Sequence, residues 1–196
     1  MRNETIGYCQ GMNSICALLL QYLEEEKAFW SLASVLEKIL PGYHSKTMSG
    51  LHTDQRVLDL LAEEQLPTLY EHLCTQSIDI RQFSTKWLVG LYTHSLPLPV
   101  VLHIWDCLLS IVQEGTTACR VLFGVSIALL SQMEEDLLMS DDPTCIVDQV
   151  QCFTQRLSSP AKQHAFFQSC CRTADHISSL NVRNKLLIVR RLQVFS

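Results

Sequence analysis

Residues 95–115 read Ser95-Leu96-Pro97-Leu98-Pro99-Val100-Val101-Leu102-His103-Ile104-Trp105-Asp106-Cys107-Leu108-Leu109-Ser110-Ile111-Val112-Gln113-Glu114-Gly115. Val101, Ile104, Trp105, Leu108, Leu109 and Val112 recur at the spacing of one helical face, and this is the clearest such stripe in the chain. Pro99 suits the first turn, where a missing N–H breaks no hydrogen bond, and Gly115 suits the closing position. The stretch therefore predicts an amphipathic helix packed on a core.

The same period recurs on both sides. Upstream, Met12, Ile15, Cys16, Leu19, Leu20 and Leu23 predict three turns of helix. After Glu24-Glu25-Glu26, the residues Phe29, Ala33, Leu36 and Leu40 form a second stripe with Trp30 beside it, ended by Pro41-Gly42. Residues 43–50 lack a period and are expected to form an exposed loop. Thr53 is a candidate cap for a helix with Val57, Leu58, Leu60 and Leu61 inside, and Pro67 opens a shorter one with Leu69, Tyr70 and Leu73. A bend at 77–81 leads to Phe83, Trp87, Leu88, Leu91 and Tyr92, which stop at Ser95-Leu96-Pro97.

Downstream, residues 118–130 are apolar nearly all round, which predicts a central helix. The acidic residues Glu134, Glu135, Asp136, Asp141 and Asp142 read as a solvated helix end and loop. Pro143 starts a helix bearing Ile146, Val150, Phe153 and Leu157, and Ser159-Pro160 supplies the cap and first residue of another. The last stretch sets Arg183, Lys185, Arg190 and Arg191 among Leu186, Leu187, Val189 and Leu192, and a packed closing helix is expected there. No segment reads as a strand. The fold class is all-α, in one domain over 1–196.

Composition agrees. The 196 residues are 47% hydrophobic and 18% charged, with 7 Gly and 6 Pro, which excludes a disordered chain and disfavours a turn-rich sheet fold. A net charge of −5 argues against nucleic acid as a partner. Nine cysteines, with no C-x-x-C pair and no apolar leader after Met1, indicate free thiols in a reducing cytoplasmic setting and no metal site. The longest apolar run, Val121 to Leu130, is too short to cross a bilayer.

Chemistry concentrates where the polar run Ile6-Gly7-Tyr8-Cys9-Gln10-Gly11-Met12-Asn13 enters the first helix. Helix N-termini offer free N–H groups and partial positive charge, and the Gln10 amide both donates and accepts, so it can orient a water without taking its proton. Cys9 is an alternative candidate as a nucleophile, but no particular histidine is tied to it by sequence.

Tyr8-Cys9-Gln10-Gly11-Met12-Asn13, followed about 75 residues later by Trp87-Leu88, Leu96-Pro97, Ile104-Trp105-Asp106 and Gly115, resembles the TBC domain of Rab GTPase-activating proteins. Residues Leu51 to Leu58 and Leu66 to Leu73 are similar to that family's middle section. The resemblance implies an all-helical domain that stimulates GTP hydrolysis on Rab small GTPases in vesicle trafficking. Gln10 matches the glutamine finger that takes over water positioning, and Tyr8, Gly11 and Asn13 match the residues that hold it. Trp87, Trp105 and Asp106 match structural positions, with packing and internal hydrogen bonding as their implied work. GTP and magnesium would belong to the partner, since no Gly-x-x-x-x-Gly-Lys loop occurs. Location at endomembrane surfaces would come through the partner.

Three positions depart from the family pattern. The family's Ile-x-x-Asp-x-x-Arg motif has no match in the seven residues before Tyr8, and Arg2, in Met1-Arg2-Asn3-Glu4, does not fit it. On this reading the domain lacks its N-terminal, arginine-bearing segment, leaves apolar surface uncovered, and binds better than it catalyses. The alternative function is accordingly a catalytically inactive Rab-binding or scaffold module. His103 replaces an arginine before Ile104-Trp105-Asp106, which predicts a weakened, pH-dependent ion pair, and Leu88 replaces a phenylalanine.

Overall fold

A computed structural model describes residues 8–110 and 115–177. Among these residues the architecture is helical and no strand occurs. The elements are α1 (Met12–Leu20), α2 (Glu25–Ser34) running into a π-helical turn (Val35–Ile39), α3 (Ser49–Gln65), α4 (Pro67–Thr75), α5 (Arg81–Val89), α6 (Leu98–Ser110), α7 (Gly115–Leu138), α8 (Pro143–Gln151) followed by a 3-10 turn (Cys152–Arg156), and α9 (Pro160–His176).

The centre is α7. Residues 122–130 are all buried, as all-round apolarity requires, and α3, α4, α5, α6, α8 and α9 each pack on it. The closest neighbour is α9, and the reason is Gly124: a side-chain carbon there would lie 2.7 Å from Ala174 Cβ and 2.8 Å from its Cα. Arg120 fixes the far end of the pair, its guanidinium donating to the carbonyls of Ala174 at 3.0 Å and Ile177 at 2.9 Å. Those oxygens are the ones that a helix C-terminus leaves without intrahelical partners.

Several terminus signals hold. Pro67 and Pro143 occupy first-turn positions, Asp142 accepts from the Thr144 N–H at 2.9 Å, and Ser159 caps α9. Ile146, Val150, Phe153 and Leu157 are buried. The acidic run is surface, with Asp136 paired to Arg156.

Other expectations are corrected. Residues 43–50 are not an exposed loop: Tyr43 and His44 are buried, Tyr43 donating to Asp54 at 2.5 Å, and α3 begins at Ser49. Thr53 lies inside α3, its hydroxyl bonded back to the Ser49 carbonyl, and left-handed Met48 occupies the cap position. On α1 and α2 the inward residues are Ile15, Leu18, Leu19 and Ala28, while Leu20, Phe29 and Trp30 are exposed. Two adjacent faces of a short helix were both apolar, and the period cannot choose between them. Leu109 is exposed, α6 is described as far as Ser110, and Gly115 is a residue of α7. His103 makes no buried ion pair; it is exposed, bonded to the Pro99 carbonyl, with its ring tilted against that of Phe167 at 5.0 Å between centroids. Val112 and the basic stretch 183–192 lie outside the described residues.

One carboxyl within this packing is disfavoured as an anion. Asp59 on α3 is pushed up to about 6 from the ordinary 3.8, first by burial and then by Asp79, with Arg81 and Arg56 opposing. The folded chain thus holds a proton that the unfolded chain loses between about pH 4 and 6, so stability falls as pH rises through that window. Asp59→Asn is expected to raise stability at pH 7 by about 1–2 kcal/mol, after allowance for partial exposure, and to flatten that fall. Urea unfolding at pH 4, 5, 6 and 7 checks this; parallel pH profiles for parent and variant would overturn it.

Candidate functional site

The chain enters α1 through a tight turn at residues 8–13. Gly11 sits at φ 101°, a region open to glycine, and its α-carbon faces α5 so closely that a side-chain carbon would lie 2.6 Å from Val89 Cγ1 and 3.2 Å from the Val89 carbonyl oxygen. Its N–H donates to Asn13 Oδ1 at 3.2 Å, and its carbonyl accepts from the Ser14 and Ile15 N–H groups. Gly11 and Asn13 thereby fix the backbone that carries Gln10. The Gln10 side chain is exposed, and so is Tyr8, at 80%.

Gln10 lies at the rim of an open groove of about 610 Å³. One wall is the Cys9 to Ser14 turn. The other is a single face of α5, Gln82, Thr85, Lys86 and Val89, whose opposite face buries Phe83, Trp87 and Leu88. Met48 and His94 close the remaining sides. Thr85 is engaged internally, accepting from buried Gln55 at 2.8 Å and donating to the Arg81 carbonyl. His94 Nε2 and Ser14 Oγ share a hydrogen bond that spans the groove and joins α1 to the segment after α5.

That segment is held in an unusual path. Leu91 and Tyr92 both have positive φ, at 47° and 62°. The Trp105 indole donates to the Leu91 carbonyl at 3.1 Å, and the buried Tyr92 hydroxyl donates to the Leu122 carbonyl at 2.5 Å and meets Ser126 Oγ at 2.8 Å. Trp87 and Trp105 are therefore buried structural residues, with Trp105 acting on the turn that delivers His94. Asp106 lies on the exposed side of α6. Behind the groove, His44 is buried at the Val89 backbone, and burial holds its imidazole below the ordinary range.

Gln82, Lys86 and His94 were not singled out from the sequence. Their only signal was position, since Lys86 immediately precedes Trp87 and so points away from the core. Cys9 is half-buried and no histidine is seen bonded to it; its N–H donates to Met12 Sδ. Among the described residues no group of three metal-ligating side chains occurs, and no helix is long and apolar enough to cross a membrane.

The chain matches the Rab-GTPase-TBC domain over residues 1–138, a span that contains both walls of the groove. It belongs to the TBC domain family of Rab GTPase-activating proteins. Among relatives, TBC1 domain family member 2A of Rattus norvegicus is 37% identical over 82% of this chain and 17% of the rat protein. Growth hormone-regulated TBC protein 1 of Xenopus tropicalis is 33% identical over 99% of this chain and 55% of its own length. The crystal structure of the Chlamydomonas flagellar RabGAP TBC domain superimposes with a TM-score of 0.66 at 32% identity, covering 88% of this chain and 53% of that one. The chain thus spans about half, or less, of the length of these relatives. Within the TBC family the all-α class expected from periodicity is the observed one.

Proposed function

We propose that this TBC domain binds a GTP-loaded Rab-family small GTPase and promotes hydrolysis of the partner's nucleotide, with Gln10 as the amide that positions the attacking water. The observation that carries this reading is an exposed amide, on a turn fixed by Gly11 and Asn13, at the rim of an open groove. Phosphoryl transfer needs little covalent help; it needs a water held in line and charge offset on the transferring group. The Gln10 carbonyl oxygen would accept from the water and its NH₂ would donate to a phosphate oxygen, a pairing that a carboxylate or ammonium cannot supply alone. GTP and magnesium belong to the partner in this scheme.

An arginine finger contributes on the order of 10³ to 10⁵ in rate, and Arg2, in Met1-Arg2-Asn3-Glu4, does not carry the family's motif. The stimulation expected of these residues is the part supplied by the amide and by docking. Phosphate release from a panel of GTP-loaded Rab GTPases, measured beside direct binding, tests the reading. Stimulation of at least one member is expected. Binding without stimulation would make the chain a noncatalytic Rab-binding module, and absence of binding would sink both readings.

A further inference from the structure

The groove beside Gln10 has an unbalanced set of polar groups. Asn13 is bonded to Gly11, Thr85 to Gln55 and Arg81, and His94 to Ser14, so their capacity is used within the fold. Three side-chain heads on the lining make no hydrogen bond or ion pair to another described residue: the amides of Gln10 and Gln82 and the ammonium of Lys86. Among the described residues no carboxylate lines the groove, although the whole chain carries a net charge of −5. Gln82 and Lys86 are one helical turn apart on the same exposed face of α5, so their heads can converge on one acceptor. Met48 and Val89 add apolar surface beside the pair, which a docked partner would cover, strengthening a charge contact made there.

An ammonium and an amide, left open in a groove whose described lining carries no acidic group, match a carboxylate presented by a protein surface. We propose that Lys86, assisted by Gln82, is the docking anchor of this domain: it pairs with an Asp or Glu on the surface of the partner GTPase and so sets which GTPase is seated with its nucleotide facing Gln10. This inference rests on the functional reading above and adds to it a specificity-determining residue. Gln10 acts on the reaction, whereas Lys86 acts on affinity and partner choice.

The test measures direct binding of the chain to the same GTP-loaded panel, at low and physiological salt, for the parent, Lys86→Met, Lys86→Glu and Gln82→Ala. Lys86→Met is expected to raise Kd about 10-fold and to flatten its salt dependence, Lys86→Glu to raise it further, and Gln82→Ala to raise it by a smaller factor. Changing individual surface carboxylates of the bound GTPase to lysine is expected to find one whose loss of binding is rescued by Lys86→Glu. Lys86 is exposed, so the variants should melt with the parent. If the parent binds and both Lys86 variants bind equally well, the docking anchor is wrong while the functional reading stands. If the variants bind as the parent does but lower the maximal hydrolysis rate, Lys86 faces a phosphate and the carboxylate assignment fails. If the parent binds no member of the panel, the functional reading fails first and takes this inference with it.

Discussion

Gln10→Ala is expected to return the partner's GTP hydrolysis to its unstimulated rate, a loss on the order of 10²-fold, with binding reduced much less. The side chain is exposed and its amide makes no bond to another described residue, so the fold has nothing to lose. Any effect on melting should stay within about 0.5 kcal/mol. In the proposed complex the amide would meet water and phosphate only once the partner is bound, while the groove beside it is lined mainly by α5, His94 and the backbone of the turn. The substitution therefore separates kcat from Kd. Gln10→Glu sharpens the test, because a carboxylate of nearly the same shape accepts from the water but repels the phosphate. Stimulated phosphate release that survives in both variants would remove Gln10 from the mechanism.

The second large effect concerns stability. Gly124→Val is expected to cost about 3 kcal/mol, which corresponds to a fall of roughly 6–12 °C in Tm for a domain of this size. The side-chain carbon would press on Ala174 Cα at 2.8 Å and on its nitrogen at 2.9 Å, and a helix backbone cannot swing aside as a long side chain does. α9 must move as a body, and Arg120 holds its last carbonyls. Gly124→Ala carries the same clash with less bulk and should lose less. Thermal unfolding followed by circular dichroism measures both. A Tm within about 2 °C of the parent for the valine variant would show that α9 does not rest on α7 as described.

How far the sequence disclosed this molecule follows from which physical effect dominated each segment. Where one face of a helix was apolar and the rest was not, as in α8, or where all faces were apolar, as in α7, burial followed the pattern. Where apolar residues covered two adjacent faces, as at Phe29 and Ala28, the choice was made by tertiary packing, and the exposed Phe29 and Trp30 rings settle edge-to-face at 5.3 Å. The buried Tyr43 to Asp54 bond was hidden because polar residues without a period look like loop, and a segment can be polar and still be enclosed when its groups are paired. At the site, Gln10, Gly11 and Asn13 were visible because they are contiguous. The groove wall of Gln82, Lys86 and His94 was not, since it is brought there from about 75 residues away and nothing local marks it.

The left-handed pair Leu91 and Tyr92 has a consequence for quality control. Two successive non-glycine residues at positive φ cost on the order of 1–2 kcal/mol each, and the bonds that offset this come from Trp105 on α6 and from Leu122 and Ser126 on α7. His94, which closes one side of the groove, follows this turn, so its placement depends on α6 and α7 being docked. A chain that has formed α1 but not its core would carry Gln10 without the groove beside it. On the proposed function, competence to engage a partner would thus be tied to completion of folding, and half-folded copies would neither occupy nor switch off the GTPase.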